Sequence, residues 1–260
     1  MTEVRFSGRN ELEPIFMFWR SSMTDLSGQR VAVIGGGSRL GRAIALAAAE
    51  AGAEIVVAGR SAEALAEVAD LAPGRADVVQ VDLSLPETIA RLGTEIGAID
   101  HLVSTVSMHA AGPLATLEDA AIERAVDAKI LGPIRLVRAT AAAMRPGGSY
   151  TFFSGQAAWR PTPGAVVTAT VNGGLAFLVQ ALAVELAPLR VNAIAPGLVD
   201  SGALDRLGDE KAAVLADAVA RMPVGRVGVP ADIVSATLMV IGNGYMTGSV
   251  LNIDGGGRLG

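Results

Sequence analysis

Apolar and polar positions alternate between two rhythms along the chain. Short, nearly continuous apolar runs rich in Val and Ile predict strands near 30–34, 54–58, 77–81, 100–104, 149–153, 190–194 and 249–253. Longer stretches with helical spacing lie between them, near 40–51, 62–71, 86–96, 118–144, 165–187, 203–220 and 230–241. Strand and helix alternate throughout, which predicts right-handed crossovers and an open, doubly wound parallel sheet with helices on both faces. No internal repeat or long linker interrupts the pattern. A single domain over residues 25–260 is expected, without a separate substrate domain.

The first strand ends in Gly35-Gly36-Gly37-Ser38-Arg39-Leu40-Gly41, and an alanine-rich helix follows. Glycines allow a tight turn and close backbone approach, and the helix start directs free N–H groups and a positive dipole end at the turn. This is a pyrophosphate site of the Rossmann type. The second strand ends in Gly59-Arg60-Ser61, roughly twenty residues past the glycines. A site for NAD usually carries an acid there; an arginine accommodates a 2′-phosphate instead. Arg39 adds a second cation, so NADP(H) is the expected cofactor.

Composition narrows the function further. The chain has 260 residues, 51% of them hydrophobic, enough for a large core without staples. It has no cysteine, which excludes disulfides, thiolate catalysis and cysteine-held metals; no metal site is expected. A net charge of −5 argues against a nucleic-acid surface. No continuous apolar run is expected to span a bilayer, and a cytoplasmic location is expected. Residues 1–24 differ from the rest, with Phe16, Phe18 and Trp19 close together and Glu3, Glu11 and Glu13 before them. They are read as an extension that is either poorly ordered or an arm onto a neighbouring subunit.

From about Asp25 onward the chain resembles the short-chain dehydrogenase/reductase family. Gly35 and Gly41 match the outer glycines of the family's nucleotide turn, and Asp82-Leu83 match its adenine-contacting pair. Residues 190–201, RVNAIAPGLVDS, resemble the segment around the nicotinamide, and residues 247–256, TGSVLNIDGG, resemble the last strand and turn. The resemblance implies a seven-stranded Rossmann-type sheet. It also implies cofactor contacts from Gly35, Gly37, Ser38, Arg39, Leu40, Gly41, Arg60, Ser61, Asp82, Leu83, Ser104, Thr105, Lys129, Asn172, Pro196, Gly197, Leu198 and Val199. It further implies a homodimer or homotetramer paired through the fourth and fifth helices, acting on a small-molecule substrate.

The family's catalytic residues are replaced. Thr168 stands at the tyrosine and Asn172 at the lysine four residues later. Gly155 stands at the serine, beside Ser154, and Lys129 stands at the asparagine of the fourth helix. A threonine hydroxyl lacks the acidity to donate the proton that carbonyl reduction needs. Lys129 and Asn172 are the family's asparagine and lysine exchanged, so an ammonium could return to the same place from the opposite wall. Alternatively, Lys129 snorkels to solvent or pairs with Asp127 or Glu123.

Ser154 and Thr168 could bind a substrate carbonyl, and His109, in the loop after the fourth strand, could act as acid or base. Trp159 could stack on an apolar substrate and Arg160 could pair with an acidic one. His101 and Tyr150 are read as structural. Residues 202–222 should form a flap over the substrate. Three functions stay open: an atypical NADP(H)-dependent oxidoreductase with an unusual proton donor, a silent nucleotide-binding protein or partner subunit, and a non-redox isomerase, lyase or cyclase.

Overall fold

A computed structural model describes residues 25–108 and 110–260. The N-terminal extension and His109 lie outside the described residues. Seven parallel strands form one sheet in the order β3-β2-β1-β4-β5-β6-β7. They are β1 (Arg30–Ile34), β2 (Glu54–Gly59), β3 (Ala76–Gln80), β4 (Ile99–Ser104), β5 (Met144–Phe153), β6 (Arg190–Pro196) and β7 (Val250–Ile253). Every residue of β1 is buried, as expected of a central parallel strand covered on both faces.

Successive side chains leave β1 on opposite faces. Val31 and Val33 join one core with α1 (Arg39–Glu50), α2 (Ala62–Leu71) and the last helix. Ala32 and Ile34 join the other with α3 (Pro86–Glu95), whose Ile89 and Leu92 are buried, worth roughly 1.5–3 kcal/mol each.

The stretch expected as one helix over 118–144 is broken. It runs as α4 (Asp119–Val126), a π-helical turn (Asp127–Leu131), α5 (Gly132–Thr140) and a short 3₁₀ turn. Gly132 N–H reaches back to the Asp127 carbonyl, one residue farther than in an α-helix. Pro133 explains why the widening falls here: it has no N–H to continue the α ladder into this turn. The remaining helices are α6 (Val166–Glu185), α7 (Glu210–Ala220) and α8 (Pro230–Gly242). The flap helix α7 begins later than the expected 203, because Asp205–Leu207 form a separate 3₁₀ turn.

One expectation is corrected by α6. This helix is long and apolar enough, by length and composition alone, to cross a membrane, with mean hydropathy 1.6 over its most apolar window. Its sequence is apolar on two faces. Val171, Leu175 and Val179 lie in the domain, while Phe177 and Val184 are 74% and 81% exposed.

The pole of the sheet away from the glycine turn is held by buried polar groups. His101 meets Ser149 Oγ through Nδ1 at 2.8 Å and Gln29 Oε1 through Nε2 at 2.6 Å. Burial lowers its pKa to about 4, so it is neutral in the fold. Arg190 is buried and donates to the carbonyls of Val240 and Ile241 in α8 and of Asn243 after it. Its charge sits at the negative end of that helix. Tyr150 is fully buried with its hydroxyl on Thr140 Oγ1 at 3.0 Å, which removes it from the reaction centre.

Candidate active site

The strand order reverses between β1 and β4, and the crevice at their carboxyl ends is where this topology binds ligands. The glycine turn fills that crevice. Thr105 crosses its floor, donating from N to the Ile34 carbonyl at 3.0 Å. A Cβ on Gly35 would come within 2.6 Å of Thr105 Oγ1, and Gly35 has φ +86°. A side chain is therefore excluded there by space and by backbone.

The first turn of α1 contains no acid, and its N-cap Ser38 makes no side-chain cap bond, so the helix N–H groups stay available. Arg39, at φ +48°, is the one non-glycine residue with positive φ among the described residues. Neither Arg39 nor Arg60 has a carboxylate partner within salt-bridge distance among the described residues.

Arg60 and Asp82 line one open groove of about 570 Å³ that runs between the edge strand β3 and α3, together with Val78, Thr88 and Arg91. Asp82 Oδ1 accepts from Ser84 N at 2.9 Å and Oγ at 2.7 Å. The Ser84 N–H holds its carboxyl below the usual range, with smaller help from the Ser84 hydroxyl and the Arg60 charge. Leu83, next to it, is buried, as is Ser104 at the end of β4. Ser61 accepts Ala64 N–H at 3.3 Å and caps α2, so its side chain already has a structural role. At the nicotinamide end, Pro196 closes β6, and a Cβ on Gly197 would press to 2.7 Å from Asp254 Cα. Leu198 and Val199 follow; Val199 is buried.

The exchanged pair meets at the end of β5. Lys129, carried by the π turn, is 4% exposed, and its ammonium donates to the Phe153 carbonyl at 2.5 Å and the Ser154 carbonyl at 3.5 Å. It neither reaches solvent nor pairs with Asp127, which pairs with Arg135 at 3.1 Å. Desolvation lowers its pKa to about 8. Asn172 is also buried, and its Oδ1 has no hydrogen-bond partner. A Cβ at Gly155 would approach Asn172 Nδ2 to 3.0 Å. The glycine at the family's serine position therefore gives the asparagine amide its room.

The two candidate hydroxyls have been spent. Ser154 Oγ donates to the Asn172 carbonyl at 2.9 Å, and Thr168 Oγ1 donates to the Ala110 carbonyl at 3.0 Å. Each keeps lone pairs but has no free hydrogen to give a substrate oxygen. Thr168 instead clamps the loop after β4 onto α6. Arg160 donates one of its five N–H groups to the Gly257 carbonyl at 2.6 Å, which fastens its loop to the C-terminal turn. The sequence carries no sign of these bonds, since their acceptors are backbone carbonyls. It also missed Lys211 in the first turn of the flap helix, whose ammonium bridges Asp200 at 2.8 Å and Asp205 at 2.7 Å.

A sequence model of the family described as enoyl-(acyl carrier protein) reductase matches residues 36–257. The chain belongs to the short-chain dehydrogenase/reductase family. It is 31% identical to the short-chain dehydrogenase/reductase malC of Malbranchea aurantiaca over 257 residues, covering 91% of this chain and 97% of that one. The solved structure of that protein, described as a reductase/Diels-Alderase, superposes with TM-score 0.84 at 29% identity over 91% of this chain and 98% of that one. A small-chain dehydrogenase solved in complex with NADPH superposes with TM-score 0.76 at 30% identity, covering 89% and 99%. Mouse (Mus musculus) L-xylulose reductase is 29% identical over 240 residues, 89% of this chain and 97% of that one. The seven-stranded sheet expected from the sequence is the fold these relatives share.

Proposed function

We propose that the protein is an NADP(H)-dependent oxidoreductase acting on a small carbonyl or alcohol substrate, with Lys129 in place of the family's phenolic proton donor. When bound, the cofactor supplies or takes the hydride. The residues present fit it. The glycine turn and the start of α1 would hold the diphosphate, Arg39 and Arg60 the 2′-phosphate, and Asp82 and Leu83 the adenine. The unpartnered Asn172 Oδ1 would accept from a ribose hydroxyl, an outlet for a buried acceptor that otherwise lacks one.

One observation carries the catalytic part. Around the end of β5, Ser154 and Thr168 have given their hydrogens to backbone carbonyls, and Tyr150 is sealed in the core. Lys129 is the acid left at that strand end among the described residues. An ammonium has three hydrogens, and two carbonyls take two of them. Its lowered pKa makes proton transfer near neutrality feasible. The expected protein is a cytoplasmic homodimer or homotetramer, the exposed apolar face of α6 supporting the self-association.

The test is turnover. NADPH oxidation should be assayed against a panel of ketones, aldehydes and imines with wild type, Lys129→Met and Thr168→Val. Lys129→Met should lose at least a hundredfold in kcat, as removal of a general acid does. Thr168→Val should lose less than tenfold. The reverse ranking would overturn the assignment.

A non-redox reading has its own support. The spent hydroxyls suit a pocket that binds without donating protons, and the similar structure from M. aurantiaca is described as both reductase and Diels-Alderase. Substrate conversion that needs bound NADP(H) but leaves its redox state unchanged would favour this reading.

A further inference from the structure

We propose that Arg160 is a positioning residue for the flap: through the C-terminal glycine turn it clasps the far end of the flap to the loop after β5, and so governs how readily the site opens. This rests on the reading of residues 202–222 as a cover over the substrate. The flap helix α7 needs such a tie. None of its described residues is buried, so little apolar area anchors it. At its first turn Lys211 bridges Asp200 and Asp205. Past its other end, Val224 is 58% exposed, and a cavity of about 110 Å³ lies between Met222, Val224, Leu198, Val199 and Ile253. Packing on that side is incomplete, so the end of the flap is left to its hydrogen bonds.

The C-terminal turn supplies them. Val224 N–H donates to the Gly255 carbonyl at 3.1 Å. Three glycines in a row each let a different neighbour approach. A Cβ on Gly255 would come within 3.2 Å of Val224 Cγ1, one on Gly256 within 2.8 Å of Pro223 Cγ, and one on Gly257 within 3.0 Å of Gln156 Nε2. Gly255 and Gly256 also have φ +59° and +79°. The turn is therefore wedged between the end of the flap and the loop after β5. Asp254 keeps it in shape, its carboxylate accepting from Gly256 N–H at 3.1 Å and from Arg258 Nη1 at 2.9 Å.

Arg160 closes the clasp from the other side, with Nη1 on the Gly257 carbonyl at 2.6 Å. Its own N–H donates to the Gln156 carbonyl at 3.0 Å, so the guanidinium extends from the 3₁₀ turn Gln156–Ala158. That turn starts two residues after Ser154, whose carbonyl, with that of Phe153, holds Lys129. One charge-assisted bond thus joins the strand end under Lys129 to the turn that holds the flap.

Hydrogen–deuterium exchange resolved to single amides by NMR, on the full chain without nucleotide, reads the clasp. The Val224 amide reports the flap end. The Gly228 amide, which donates to the Leu198 carbonyl at 3.1 Å, reports the neck of the flap. Arg160→Met keeps the apolar stem and removes the donor. It should speed Val224 exchange by about tenfold, as loss of a hydrogen bond from a charged donor implies, and leave Gly228 unchanged. Arg160→Lys keeps a charged donor and should restore most of the protection. Gly256→Ala, which presses the turn away from Pro223, should speed Val224 in the same way and decides the matter if Arg160→Met does not fold. In stopped flow, NADPH chased with excess NADP⁺ should leave Arg160→Met faster than wild type. An unchanged Val224 amide, equal acceleration at Val224 and Gly228, no rescue by lysine, or unchanged NADPH release would overturn the proposal. A wild type that binds no NADPH would defeat the functional reading, while the exchange rates still decide this one.

Discussion

Lys129 should cost the fold stability, and its replacement should show how much. A lysine in water titrates near 10.5, and burial brings this one to about 8. A gap of about 2.5 pH units, at about 1.4 kcal/mol each, is on the order of 3 kcal/mol. The sign follows from linkage. Below pH 8 the folded and unfolded lysines both hold the proton, and the fold carries the full cost of a buried charge. Between pH 8 and 10.5 the folded lysine has released its proton while the unfolded one keeps it, so stability rises with pH. Lys129→Met should abolish that rise.

The same substitution leaves the Phe153 and Ser154 carbonyls without their donor, a penalty of roughly 1–3 kcal/mol that partly offsets the relief. The variant should therefore be equal to wild type or up to about 2 kcal/mol more stable at pH 7, the remainder of those two magnitudes. Urea unfolding of both proteins at half-unit steps from pH 7 to 10, without nucleotide, measures the difference. Wild type should gain on the variant as pH rises. A variant several kcal/mol less stable at every pH, with parallel profiles, would show Lys129 to be a structural clamp. A stable variant without turnover is instead the signature of a group kept for function at the expense of stability.

Three other outcomes are expected. Arg60→Ala should weaken NADPH binding at least tenfold more than NADH binding, because a charge-assisted bond to the 2′-phosphate is worth about 1.5–3 kcal/mol; fluorescence titration of both nucleotides checks it. His101 is neutral in the fold with its pKa lowered to about 4, so stability should fall as pH drops from 6.5 to 4, by about 3 kcal/mol. Urea midpoints across that window should flatten in His101→Gln. Phe177→Glu on the exposed face of α6 should shift the protein toward a 26.4 kDa monomer in light scattering while leaving the fold intact by circular dichroism.

The parts of this protein legible in its sequence are those written in side-chain pattern. Strands buried on both faces appear as unbroken runs such as Val31–Ile34, and the glycine turn announces a backbone that something must approach closely. The break in the long fourth helix was legible in part: Gly132-Pro133 marks a local irregularity, but apolar spacing continues across residues 127–131 and hides the π turn itself. The fates of Ser154, Thr168 and Arg160 were hidden for a different reason. Each ends on a main-chain carbonyl from a segment 18, 58 and 97 residues away, and a carbonyl has no letter in the sequence.

That distinction bears on how the site departs from its family. The departures are coupled. Glycine at 155 leaves space that Asn172 occupies, and the π turn lowers Lys129 onto the strand end from the opposite wall. Restoring one family residue should therefore not restore the family's chemistry. Gly155→Ser would push on the Asn172 amide, and Thr168→Tyr would release the loop clamp at Ala110 before supplying a phenol. The groups at the end of β5 hold one another: Gly155 leaves room for the Asn172 amide, Ser154 holds the Asn172 carbonyl, and the Lys129 ammonium rests on the Phe153 and Ser154 carbonyls, so a change at one of them is felt by the rest.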